Sequence, residues 1–128
     1  CYDLENDDRI DGWRKAMTTA FASMALMARQ GIKTTEDLME ALSKNRIDRA
    51  KQLVKELVRL DEELRIHGEV YPACKPLSVT LRFERDNLEG MDPQDLAKRT
   101  LQIYRDCFAR ARLMEKKTDQ LGEVYCNE

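Results

Sequence analysis

The stretch 47–64, IDRAKQLVKELVRLDEEL, decides the fold. Ile47, Ala50, Leu53, Val54, Leu57, Val58, Leu60 and Leu64 recur three and four residues apart. At roughly 100° per residue they cover about 160° of arc, the apolar stripe of an amphipathic helix. A half-buried strand would need strict alternation, and this stretch has none. Asn45 fits as the cap that opens the helix, and Gly68, just after His67, fits as its stop. One polar residue, Asp61, falls inside the arc. It reads as an edge residue paired with Arg65 one turn on. The sharper alternative is a buried, functional carboxylate with a raised pKa.

Upstream, Ile10–Gln30 carries the same periodicity. Ile10, Trp13, Ala16, Met17, Ala20, Phe21, Met24, Met27 and Ala28 fall within about 140° of arc, with Gly31 placed as a C-terminal stop. Leu26 points away from that stripe, and Ala22 and Ala25 widen the apolar surface. This helix is therefore expected to be the most buried one or to carry a second contact. Thr34-Thr35-Glu36-Asp37 then opens a short helix through Ser43, with a threonine hydroxyl as cap and two acids at the positive end of the dipole.

Downstream, Pro72 and Pro76 exclude a helix interior between them. Val79, Leu81 and Phe83 alternate with Thr80, Arg82 and Glu84, which predicts a strand or extended segment at 78–84, paired with Glu69–Tyr71. Asp92-Pro93-Gln94-Asp95 is a strong helix start, with an acid as cap and proline in the first helical position. That last helix is expected over 93–121, ending at Gly122, with Leu96, Ala97, Leu101, Ile103, Tyr104, Cys107, Phe108, Ala111 and Met114 as its stripe. Cys107 lies within the stripe and reads as a buried, inert thiol. Gly-Glu-Val-Tyr occurs at 68–71 and again at 122–125, each time after a long helix, but the flanking helices do not align.

These elements predict a mainly α, four-helix bundle-like single domain over residues 1–128, with residues 1–8 mobile and a short extended or β segment at about 69–84. An up-down-up-down order would bring Cys1 and Cys126 to the same end. The chain is 42% hydrophobic and 36% charged, with 6% aromatic residues, 5 glycines and 3 prolines, which suits helices with dense polar faces and disfavours an all-β domain. Four cysteines without a Cys-x-x-Cys pair favour a reducing, intracellular compartment, whereas cysteine in first position also fits a secreted or surface-anchored chain. The longest apolar run, Ala20–Ala28, falls far short of the ~20 residues of a membrane span, so a soluble chain is expected.

Chemistry-bearing motifs are sparse. The lone histidine, His67, has no identifiable partner for a Cys–His nucleophile and reads as a surface residue at a helix end. His67, Cys74, Cys107 and Cys126 lack the close ligand spacing of zinc sites. Asp61, Glu62 and Glu63 face three directions, and no glycine-rich phosphate loop occurs. No catalytic residue, metal, cofactor or small-molecule substrate is therefore expected.

Charge offers more, although the net charge is only −2. Residues 1–11 are acidic (Asp3, Glu5, Asp7, Asp8, Asp11), whereas 44–55 and 98–117 are basic. The partner-contact candidates are Lys44, Arg46, Arg49, Lys51, Arg99, Arg105, Arg110 and Arg112. The expected function is a non-enzymatic helical interaction module: an adaptor, a regulator or inhibitor, or an assembly subunit. Its partner would be another protein or a second copy. The alternative is nucleic-acid binding through basic helices 46–55 and 98–117, with cations at a helix start positioned for phosphates and bases.

Overall fold

A computed structural model of the chain describes the backbone of residues 4–78, 81 and 90–126, with side chains at 9, 11–78, 81 and 90–121. Helix α1 spans Leu4–Ser43 and α2 spans Ile47–Val70. A 3-10 turn follows at Pro72–Cys74, then a helical piece at 75–78, with residue 81 also helical. Helix α3 spans Pro93–Cys126. No membrane-length apolar helix occurs among the described residues.

Helix α1 is the spine. Thr18 meets Thr118, Arg14 meets Asp119 and Gly31 meets Tyr104, so α3 runs antiparallel along nearly all of α1. On another flank, His67 meets the Ala20 carbonyl, so α2 also runs antiparallel to α1 and therefore parallel to α3. The buried residues of α1 divide accordingly: Phe21, Met24, Ala28, Gly31, Thr35 and Leu38 keep a three–four seam, and Ala20, Thr34 and Ala41 widen it toward α2. The extra apolar width expected of this segment is thus the width needed for two partners. In α3, Ala97, Thr100, Tyr104, Cys107, Ala111 and Thr118 form the facing seam, whose small side chains let the two helices approach closely. In α2, Ala50, Leu53, Leu57, Leu60 and Leu64 form a single buried line. All three helices, with Cys74 and Leu81, share one apolar cluster.

The structure corrects several sequence expectations. Gly31 does not stop a helix, and Thr34 and Thr35 do not start one, because α1 is continuous through them. A β-carbon at Gly31 would stand 2.3–2.6 Å from three ring carbons of Tyr104, well inside van der Waals contact, so the glycine serves close approach. Helix continuity costs about 1 kcal/mol there relative to alanine, which burial along both sides of α1 outweighs. Thr35, fully buried, satisfies its hydroxyl by donating to the Gly31 carbonyl at 2.7 Å.

Asn45 does not cap α2 but closes α1. Its φ of 55° is left-handed, the Arg46 N–H donates to the Ala41 carbonyl at 2.8 Å, and the Asn45 N–H donates to the Leu42 carbonyl at 3.2 Å. This is the Schellman pattern, with asparagine in the place glycine usually holds. Gly68 and Gly122 are likewise helical rather than terminal. Gly68 lets the 75–78 piece cross α2, with the Lys75 Cα and Ser78 Cβ each 3.2 Å from the β-carbon it lacks.

The expected β segment is absent among the described residues. Glu69 and Val70 belong to α2, and residues 78 and 81 are helical. Ser78 donates its hydroxyl to the Leu64 carbonyl at 2.7 Å, fixing the piece on α2. Residues 79, 80 and 82–84 of the expected strand, and any Cys1–Cys126 bridge, lie outside the described residues. The expected start of α3 is present: the Gln94 N–H donates to Asp92 Oδ2 at 3.1 Å.

Some stripe positions are open. Trp13 is 54% exposed because α2 ends at Val70, which lies beside α1 near residue 17 in the register set by Ala20 and His67. Ile47, Val54 and Val58 flank the leucine line of α2 and are exposed, as is Leu96 on α3.

Candidate functional site

The groups able to do chemistry in the interior are engaged in structure. Tyr104, fully buried on α3, lays its ring over Gly31 of α1 and donates its hydroxyl to Asp61 Oδ1 of α2 at 2.7 Å. One side chain thereby ties three helices. Asp61 is half-buried, so its place in the apolar arc is explained by this bond; the expected partner Arg65 pairs with Glu62 instead.

His67 is not a solvated surface residue. It is half-buried, with Nε2 2.8 Å from the Ala20 carbonyl and its ring 4.8 Å from that of Tyr71. A carbonyl only accepts, so Nε2 carries the proton and donates. Cys74 and Cys107 are buried free thiols, and burial pushes each up to about 11. Thiols held protonated in this way are poor nucleophiles. Among the described residues no cluster of three or more His, Cys, Asp or Glu side chains is placed to hold a metal ion.

The surface is where uncompensated charge lies, and the eight candidate residues do not form one patch. Lys44 closes an ion pair with Glu40 at 2.7 Å, and Arg46 is the residue that precedes α2. Arg49 and Lys51, two residues apart on α2, point about 160° apart. On α3, Arg99 and Arg110 lie about 140° around the helix from Arg105 and Arg112. Arg105, Arg110 and Arg112 also stand about 20–30 Å along α3 from its start, far from the α1–α2 corner.

A different set does come together. Lys98, Arg105, Arg112 and Lys116 fall on one line of α3, within about 40° of arc. That line borders the outer groove between α1 and α3. Across the groove, Arg29 and Lys33 of α1 stand abreast of the stretch 102–106 in the register set by Gly31 and Tyr104. The groove deepens near Thr18, Arg112, Glu115, Lys116 and Asp119 into an open depression of about 550 Å³.

Arg112 is paired with Glu115 at 2.8 Å. Arg29, Lys33, Lys98, Arg105 and Lys116 are exposed and make no ion pair among the described residues. At the acidic end, Asp11 is already engaged: hydrogen bonds from Lys15 and Arg14 hold its carboxyl below the usual range. Sequence reasoning named Arg105 and Arg112, and its basic stretch 98–117 takes in Lys98 and Lys116, but it missed Arg29 and Lys33. The seven-residue spacing of 98, 105 and 112 was the available signal, and counting basic residues by segment hid it. Comparison with models of protein families, with curated proteins and with solved structures finds no match to this chain.

Proposed function

We propose that this chain is a helical interaction module, an adaptor, regulator or assembly subunit, which works by binding another macromolecule and not by catalysis. The observation that carries this reading is the contrast between interior and surface. Tyr104, Asp61, His67, Cys74 and Cys107 are engaged in packing or internal hydrogen bonds, whereas Arg29, Lys33, Lys98, Arg105 and Lys116 on the outer α1–α3 face are exposed and make no ion pair among the described residues. Uncompensated charge steers association and selects partners more than it stabilises a fold.

The test is affinity capture from the native host with the wild-type chain and with an Arg29→Glu/Arg105→Glu variant, each checked for unchanged helicity. The expected result is a stoichiometric partner retained by the first and lost by the second. Equal capture by both, or none by either, would sink the reading. Nucleic-acid binding through 46–55 and 98–117 together has less support, because those cations point in several directions and lie far apart.

A further inference from the structure

We infer that the outward face of α2 is a self-association surface, on which α2 of a second copy of this chain lies antiparallel about a two-fold axis. This goes beyond the interaction reading above, because it uses a different face and stands or falls separately. Helix α2 turns one line of leucines inward. On its outer side Ile47, Val54, Val58 and Ile66, between 47% and 59% exposed, lie within about 120° of arc. The solvent side of a surface helix is ordinarily polar. Here β-branched apolar residues recur along about 30 Å of it.

The charged residues that share this arc decide the occupant. Lys51 and Lys55 stand in the first half of the helix, and Glu62 and Glu69 in the second. The two exceptions are Asp48 in the first half and Arg65 in the second. Asp48, Lys51 and Lys55 are exposed and make no ion pair among the described residues. Glu62 pairs with Arg65, and Glu69 with Lys75 at 3.8 Å. A carboxylate has about four lone-pair sites, so Glu62 and Glu69 can each accept a further donor.

An antiparallel pair of α2 helices with its axis at the level of Glu56 and Leu57 matches this pattern throughout. Ile47 then lies abreast of Ile66 of the second copy, Asp48 of Arg65, and Lys51 of Glu62, with Val54 and Val58 of both copies at the centre. Two-fold symmetry makes each contact twice. Lys55 stands at the rim, where its stem covers Val58 of the second copy and its ammonium remains in water. The register is selected by charge. Slid one turn either way, Asp48 meets Asp61 or Glu69, and Lys51 meets Val58 or Ile66 in place of Glu62. A parallel pair would set Lys51 against Lys51 and Glu62 against Glu62. Like charges so placed reject a pairing more strongly than opposite charges favour one.

Sedimentation equilibrium on the full chain, up to about 1 mM, tests this, with carbodiimide coupling as a probe of the register. The expected result is a monomer–dimer equilibrium. Carbodiimide, which joins an amine to a carboxylate without a spacer, should couple Lys51 to Glu62. The two stand about 16 Å apart along one helix, so this product forms only between copies. Val58→Lys, Lys51→Glu and Glu62→Lys should each shift the chain to monomer. Lys51→Glu/Glu62→Lys should restore the dimer, because both contacts are then reversed together. All three positions are exposed, and circular dichroism checks that each variant remains helical. A wild-type monomer through the whole range overturns the inference. So does a dimer that Val58→Lys and Lys51→Glu leave unchanged, or one that yields no Lys51–Glu62 product. A chain that stays monomeric but captures a partner lost in Arg29→Glu/Arg105→Glu overturns this inference alone and leaves the interaction module standing.

Discussion

At the scale of single residues, the positions that matter most hold helices together at close range. Gly31 illustrates why sequence alone misleads. Glycine after an apolar run usually ends a helix, and the reason it does not here lies 73 positions away, in the ring of Tyr104. Gly31→Ala should therefore lower stability by about 2–3 kcal/mol in urea denaturation, although the same change in an exposed helix raises it by about 1 kcal/mol. A neutral or stabilising effect would mean that the ring does not sit there. Asp61 was legible as an anomaly in the stripe, but its partner was not, because a tyrosine in another helix's stripe gives no sign of which carboxylate it will reach. The cysteines carry a pH prediction. Burial raises both folded thiols to about 11, whereas the unfolded chain ionises near 9.0. Their contribution to stability is complete below pH 9 and is lost as pH rises from 9 to 11, on the order of 2–3 kcal/mol per thiol. Unfolding at pH 8 and 10.5, in the wild type and in Cys74→Ala/Cys107→Ala, isolates it. The wild type should decline more steeply, and parallel declines would contradict the assignment.

At the scale of elements, helical periodicity was legible wherever a stripe was long. It identified α2, the start of α3 at Asp92-Pro93 and most of α1. It failed at breaks, because a glycine or a threonine pair has the same local chemistry whether it ends a helix or fits beneath a neighbour. The alternation at 78–84 misled for a related reason. Residues 78 and 81 are three apart, which is also helical spacing, and Ser78 and Leu81 are both buried. The α1–α2 connection tests the local account. Asn45 holds a left-handed backbone at φ 55°. Asn45→Ala should cost about 1 kcal/mol, whereas Asn45→Gly should be neutral or mildly stabilising. Thermal unfolding that ranks alanine at or above glycine would contradict the Schellman closure.

At the scale of the whole molecule, the account reduces to one helix with two partners. Helix α1 is wide in its apolar face because α2 and α3 both run antiparallel along it. The breadth of that face was visible in the sequence through Ala22 and Ala25. The identity of the surface was not, since it depends on how α1 and α3 are set side by side. The measurement that bears most directly on this is native-state hydrogen exchange by NMR across residues 28–38. An uninterrupted α1 predicts that the amides of 32–36 are bonded within the helix and exchange with opening free energies near that of global unfolding. Two helices broken at Gly31 would leave those amides in an unbonded first turn. Fast exchange there, between protected stretches on either side, would contradict the continuous spine.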